Sequence, residues 1–179
     1  MRKTAIAVVL ATTALLSIWT AQASACRGAH HQPGRLSVDE ARRAVTCLIN
    51  HRRSHRGLKR VHGSFALGAA AQTHSDTMAA NNFFAHDGDD GTPVDRARAA
   101  GYVAGARAWG VGEDLEWGTG KRATPRAIVD GWMRSPMHRA VMLSRRFRQI
   151  GVGVTHGSPL SPDAQNSAMY TALFGFRKG

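Results

Sequence analysis

The sequence has few cysteines and few acidic residues, and it lacks the motifs of several common protein classes. Its 179 residues include two Cys and 12 Asp and Glu, against 24 Lys and Arg. Neither G-x-S-x-G nor S-x-x-K occurs, so no serine-hydrolase motif supports nucleophilic catalysis. Zinc-finger spacing, aromatic-rich RNA motifs and basic heptads are also missing. We therefore expect no nucleic-acid partner, in spite of a net charge of +12.

Internal repeats, linkers and low-complexity stretches are absent as well, which favours a single domain. Apolar residues make up 43% of the chain, and this is enough to bury a hydrophobic core at this length. A generally disordered chain is therefore excluded.

The N-terminus has the layout of a secretory signal peptide. Arg2 and Lys3 precede an apolar run, residues 5–19, and A-x-A cleavage sites follow at Ala23 and Ala25. A membrane anchor is the alternative, but the apolar run is shorter than the ~18 residues that a span needs. We predict a signal peptide over 1–25, an N-terminal arm over 26–36 and one domain over 37–179. The mature protein is then extracellular, with association to the cell envelope as a further option, and has no transmembrane segment.

Both cysteines, Cys26 and Cys47, remain after cleavage. Because exported chains meet oxidising conditions, we expect the two to form a disulfide that ties the arm to the first helix. Free thiols are one alternative. Lipidation of Cys26 is another, although Ala23 stands where a lipoprotein signal usually has Leu.

The charge is divided unevenly along the chain. Without residues 1–25 the protein has 22 basic and 12 acidic residues, a net charge of +10. The segment 74–116 holds eight acidic and three basic residues, so it carries −5 while the rest of the mature chain carries +15. This pattern predicts an acidic site on a cationic body.

Helical spacing and capping signals predict helices first and a sheet at the end. The capping box at Ser37 and Glu40 is the strongest start signal. The expected helices run over about 38–56, 64–81, 93–101 and from 125, with an interruption at 135–136 and a short turn through 143. Two alternating segments, 150–154 and 169–176, predict antiparallel strands. The fold class is therefore α+β.

Four motifs follow in a fixed order. They are Phe83-Phe84-Ala85-His86, Gly112-Glu113-Asp114-Leu115, the segment 132–139 around His138, and the segment 147–154. Together they resemble the CAP superfamily, or SCP domain, of cysteine-rich secretory, antigen-five and pathogenesis-related proteins, and its bacterial, secreted single-domain branch in particular. The resemblance covers about residues 40–176. It implies a three-layer α-β-α sandwich with a small antiparallel central sheet.

The resemblance also implies a cavity lined by two His and, in many eukaryotic members, two Glu. The family's histidines fall on His86 and His138, and its first glutamate falls on Glu113. Ser135 stands where the second glutamate is expected, so half of the acidic pair is missing. Asp114 replaces the usual Asn and is expected to add negative charge beside the cavity.

Two imidazoles near one carboxylate could bind Zn or another divalent cation, with His86 and His138 as ligands. A polar cluster without metal is the alternative. Other candidates are weaker. The His51–His55 spacing has Arg52 where a zincin needs Glu, and His74 is expected to be a satisfied core histidine. The loop 87–91 is similar to a calcium loop, but Gly91 takes the third acidic position and Arg98 replaces the bidentate Glu, so we expect a turn with at most weak calcium affinity.

The family resemblance implies binding of sterols, fatty acids or other extracellular ligands. We therefore expect a monomeric binding protein for an extracellular lipid, a sterol-like molecule or an anionic cell-envelope ligand. The alternative is a metal-assisted, peptidase-like hydrolase in which Glu113 acts as the base. A purely structural envelope protein is a third possibility.

Overall fold

The computed structural model describes residues 26–161 and 164–179, so the predicted signal peptide lies outside the described residues. It contains five α-helices in these ranges: α1 (Val38–Ser54), α2 (Phe65–Ala80), α3 (Pro93–Ala99), α4 (Pro125–Arg134) and α5 (Pro136–Met142). The strands of the described part are β1 (His62–Gly63), β2 (Ala108–Thr119), β3 (Gln149–His156) and β4 (Ser167–Lys178). The α+β class is confirmed.

The helices begin where the capping signals predict. The Ser37 side chain accepts from the Glu40 amide and the Glu40 carboxylate accepts from the Ser37 amide, so the capping box starts α1. Helix α4 ends at Ser135 because Pro136 has no amide hydrogen with which to continue it, and the Ser135 side chain then caps α5. The interruption predicted at 135–136 is therefore present.

The strands form one sheet in the order β1-β3-β4-β2. The pairs β2–β4 and β3–β4 are antiparallel, whereas the two residues of β1 pair with β3 in parallel. Helices α1, α4 and α5 pack on one face around the fully buried Trp132, and α2 and α3 pack on the other. This arrangement is the expected three-layer sandwich with a mainly antiparallel sheet.

The alternation in β3 divides its residues between the two helix layers. Ile150, Val152 and Val154 belong to the core beneath α1 and α4. The intervening Gly151 and Gly153 face α2, and a Cβ atom at these positions would lie 2.0 and 2.2 Å from the backbone of that helix. Glycine is required here because α2 packs directly on the sheet backbone.

The two predicted antiparallel strands are present as β3 and β4, whereas β1 and β2 were not predicted. The strand β2 contains three glycines and three acidic residues, which have low β-propensity. Every second residue of β2 from Trp109 to Trp117 is nevertheless apolar, with one exception, as expected for a strand with one buried face. These residues are Trp109, Val111, Leu115 and Trp117, and the exception is Glu113. Twelve backbone pairs with β4 overcome the weak local preference.

The predicted disulfide joins Cys26 and Cys47, whose Cα atoms are 5.6 Å apart. It fixes the arm to α1, as expected. Since the bond uses both sulfur atoms, the free-thiol and lipidated alternatives do not apply to this structure. Among residues 26–161 and 164–179, no helix has the length and apolar character of a membrane span.

Candidate functional site

The first predicted pair, His86 and Glu113, meets on the face of the sheet that α2 and α3 cover. Glu113 lies in the middle of β2, and its side chain is only 1% exposed. His86 lies in the loop between α2 and α3, and its Nδ1–H donates to Glu113 Oε1 at 2.9 Å. Because a carboxylate only accepts, this bond fixes the proton on Nδ1 and leaves Nε2 as the free ring nitrogen.

Arg96 holds the other side of Glu113, and sequence reasoning missed this role. The Arg96 side chain is 2% exposed, and its Nη2 donates to Glu113 Oε2 at 2.8 Å and to the backbone oxygen of His86 at 2.9 Å. Its Nη1 reaches Asp90 Oδ1 at 3.3 Å. One guanidinium therefore positions both the carboxylate and the loop that carries His86. The sequence signal for this role is that Arg96 is a basic residue within the acidic segment 74–116.

The network continues inward to His74. Its Nδ1 lies 3.0 Å from Asp90 Oδ2, and its Nε2 donates to the backbone oxygen of Ala85 at 2.9 Å. The prediction of a satisfied, buried histidine is confirmed. The loop 87–91 is a turn, closed by paired backbone bonds between Gly88 and Gly91. Its Asp90 points toward the protein and pairs with Arg96, so it serves the network.

His86 presents its ring to solvent in a defined orientation. Its side chain is 51% exposed, and the hydrogen bond to Glu113 raises the pKa of the imidazole although partial burial opposes this. No residue of the described part accepts from or donates to Nε2. A half-exposed imidazole with a buried carboxylate on its Nδ1 can bind a proton, a metal or an acidic group through Nε2.

His138 and Ser135 approach from the opposite layer, on α5. Ser135 Oγ accepts from the His138 amide at 3.5 Å as the helix cap, so the two are neighbours through the backbone. Burial lowers the pKa of His138, and the charge of His86 lowers it further. His138 Nδ1 is buried and has no partner within the described ranges.

Asp114 was expected to add negative charge beside the cavity, and its environment differs from this expectation. Because neighbouring residues in a strand point to opposite faces, Asp114 faces α4 and α5 while Glu113 faces α2 and α3. Asp114 is fully buried, and neither carboxyl oxygen has a hydrogen-bond partner among the residues described. Burial, with a contribution from Glu113, raises its pKa to about 8. The neutral acid is thus favoured at pH 7, and Asp114 adds little negative charge beside the histidines.

Few side chains of this site are available as metal ligands. In the described ranges, no three His, Cys, Asp or Glu side chains lie together as metal ligands would. Both oxygens of Glu113 are already paired, which leaves His86 Nε2 and the unpartnered His138 ring as available donors. The donors present are thus two imidazoles, fewer than the three protein ligands of a usual catalytic zinc site, and Glu113 orients His86 from behind.

Comparisons with known proteins agree with this architecture. A family model described as CAP, cysteine-rich secretory protein family, matches residues 47–168. The uncharacterized protein YkwD of Bacillus subtilis is 31% identical over 118 residues, 65% of this chain and 43% of that protein. The chain thus spans less than half the length of this curated relative.

Solved structures show the same fold. An extracellular protein containing an SCP domain from Bacillus anthracis has 27% identity and a TM-score of 0.62, over 79% of this chain and 41% of its own. An outer surface protein of Borrelia burgdorferi has 19% identity and a TM-score of 0.60, over 75% and 90% of the respective chains.

Proposed function

Because the chain belongs to the CAP family of cysteine-rich secretory proteins, we propose that it is an extracellular binding protein whose ligand contacts the surface around His86 and His138. The ligand class is a lipid, a sterol-like molecule or an anionic cell-envelope molecule, bound by a monomer. The similar SCP-domain protein of Bacillus anthracis is an extracellular protein, which supports this location.

The observation that carries this proposal is the positioning of His86. Arg96 and Glu113 are both buried and hold the ring from behind, while half of the imidazole remains exposed. Keeping an ion pair buried costs desolvation free energy, so the network is better explained by a fixed ring than by stability. A fixed imidazole whose pKa is raised by its hydrogen bond to Glu113 is suited to an anionic headgroup or a metal-bound ligand.

A divalent ion such as Zn would be held by His86 and His138. When bound, the ion supplies a Lewis-acidic centre for an oxygen of the ligand. Glu113 would keep the proton on Nδ1 of His86, so that Nε2 stays available as a donor. Two protein ligands predict weaker binding than the three of a usual catalytic zinc site.

The hydrolase alternative has less support. A general base must be free to accept a proton from water. Both oxygens of Glu113 are instead paired, with His86 and Arg96, and the side chain is almost fully buried. We therefore favour binding over catalysis.

The test combines vesicles with two sets of variants. Binding to vesicles that contain phosphatidylglycerol is measured by co-sedimentation for the wild type, for His86→Ala with His138→Ala, and for the control His156→Ala, which removes an exposed histidine at the end of β3. We expect the double variant to bind roughly tenfold more weakly and the control to bind normally. Raising salt from about 50 to about 500 mM should weaken the wild type, because exposed charges are screened.

The same variants test the metal. Calorimetric titration with Zn²⁺ should give one saturable site in the wild type and in His156→Ala, and none in the double variant. Equal vesicle binding and equal zinc binding by all three proteins would refute the proposed site.

A further inference from the structure

The outer edge of β3 contains a buried backbone position, Val152, for which the described residues supply no hydrogen-bond partner. The two residues of β1 pair with Gln149 and Ile150 only, and the Ser64 amide adds one bond to the Ile150 oxygen. Since N–H and C=O groups alternate between the two sides of a strand, Val152 and Val154 also direct theirs to this edge.

The side chain of Gln72 pairs with both backbone groups of Val154. Its side-chain Oε1 accepts from the Val154 amide at 2.9 Å, and its Nε2 donates to the Val154 oxygen at 3.1 Å. The carboxamide therefore takes the place of a neighbouring strand. Val152 lies between these two covered positions, and within the described residues its N–H and C=O meet no partner. Unpaired backbone groups on a 5% exposed residue are uncommon.

A groove of about 640 Å³ opens onto this edge, between α1 and α2. We call it the β3-edge groove. Its floor is Ile150, Gly151 and Val152, and its walls are mostly small or apolar. At Gly68, on the α2 wall, an added Cβ would meet no atom within 4 Å, so the groove has free width there. Phe65 stands at its mouth and is 94% exposed.

The rim of the groove is cationic. Arg42, Arg43 and Arg60 line it. Arg42 pairs with Asp39 and also donates to Gln72, whereas Arg43 and Arg60 form no salt bridge in the part of the chain that the structure describes. Guanidinium groups recognise carboxylates through paired hydrogen bonds, so an acidic partner complements this rim.

From these observations we infer that the β3-edge groove binds an extended acidic peptide segment of another protein by strand addition to β3. The peptide backbone pairs with the N–H and C=O of Val152, its apolar side chains enter the groove beside Phe65 and Gly68, and its carboxylates meet Arg43 and Arg60. The covered positions Ile150 and Val154 are about 13 Å apart at ~3.3 Å per residue, so one peptide residue pairs with Val152 between them and its neighbours extend over the groove.

An acyl chain fits these features less well. It could occupy the apolar walls and place an anionic group at the arginines, but it would bury the N–H and C=O of Val152 without partners, which is unfavourable. A peptide satisfies both groups. The groove is also separate from the His86 surface, so this inference does not depend on the proposed function.

The probe is a set of fluorescein-labelled pentapeptides, Glu-Xaa-Glu-Xaa-Glu, in which Xaa is Val, Leu, Phe or Tyr and both termini are blocked. Affinity is measured by fluorescence anisotropy, and the amide signal of Val152 is followed by NMR. We expect saturable binding by at least one peptide, with the Val152 signal among the largest shifts. Backbone N-methylation of that peptide should weaken binding roughly tenfold, because it removes hydrogen bonds and keeps the charge.

Two matched variants test the position of the site. Gly68→Leu fills the groove and improves the helix propensity of α2, so it should fold and bind at least roughly tenfold more weakly. Ala80→Leu adds a leucine at the exposed end of the same helix and should bind normally. Arg43→Glu with Arg60→Glu should weaken binding, whereas Arg122→Glu, at an exposed position elsewhere, should change it little.

Three outcomes would overturn the inference. They are no saturable binding by any acidic peptide, equal binding of the N-methylated peptide, and equal binding by folded Gly68→Leu. If palmitate binds, is blocked by Gly68→Leu, and no peptide binds, the groove is a lipid site and the peptide inference is wrong.

Discussion

The two edges of the sheet expose different chemistry. Near the β2 edge, the available groups are side chains: a half-exposed His86 held by buried Glu113 and Arg96, with His138 opposite. At the β3 edge, the available groups belong to the backbone of Val152, within an apolar groove that has arginines on its rim. The first edge favours a metal or an anionic ligand, and the second favours an extended chain. Each edge of a small sheet can thus serve a separate binding event.

The largest expected effect comes from breaking the network at the β2 edge. Arg96→Met leaves Glu113 and Asp90 buried without their cation, so we expect the free energy of unfolding to fall by about 3–5 kcal/mol. Urea denaturation measures the change. Arg98→Met on the same helix removes the charge of a side chain that is 58% exposed, and it should cost less than about 0.5 kcal/mol. Equal effects of the two substitutions would mean that the buried network has no special role.

The second largest expected effect distinguishes Asp114 from Glu113, the two adjacent acidic residues of β2. Asp114→Asn replaces an unpaired buried acid, so it should raise the free energy of unfolding by about 1–3 kcal/mol at pH 8. The pKa of Asp114 is raised from 3.8 to about 8, so the native state retains the proton and loses stability as the pH rises from 4 to 8. The gain from Asn should therefore be small at pH 4.

Glu113→Gln is the control for this prediction, because it should destabilise the protein at pH 7 by removing the charge that pairs with Arg96. Thermal melts across pH 4–8 compare the two variants. If Asp114→Asn destabilises as much as Glu113→Gln, Asp114 has a partner that the present account omits.

A smaller effect is expected at the β3 edge. Gln72→Ala removes the side chain that pairs with Val154, and two backbone groups lose their partners, so we expect a cost of about 1–2 kcal/mol in urea denaturation. Thr73→Ala, an exposed neighbour on α2, should be close to neutral. Hydrogen exchange of the Val154 amide should become faster in Gln72→Ala only. Unchanged exchange would show that Gln72 does not close the edge.

The two edges also differ in how far the sequence could predict them. His86, Glu113 and His138 belong to motifs of polar residues, so the family resemblance identified them. Arg96 was missed because its partners lie on other elements. The burial of Asp114 on the sheet face opposite to Glu113 was not predicted, because β2 was not recognised as a strand. The Val152 position has no signature in the sequence, since which backbone groups remain unpaired depends on where β1 ends and on where Gln72 reaches.

The proposed binding surface depends on Glu113 holding the His86 ring by its Nδ1, with Nε2 left free. An NMR titration of the imidazole signals of His86 and His138 tests it most directly. We predict a pKa above 6.5 for His86 and below 6.5 for His138, and a lower pKa for His86 in Glu113→Gln. Any stability that His86 contributes is then present below pH 6.5 and lost as the pH rises through its native pKa. Equal pKa values for the two histidines, unchanged by Glu113→Gln, would contradict the account.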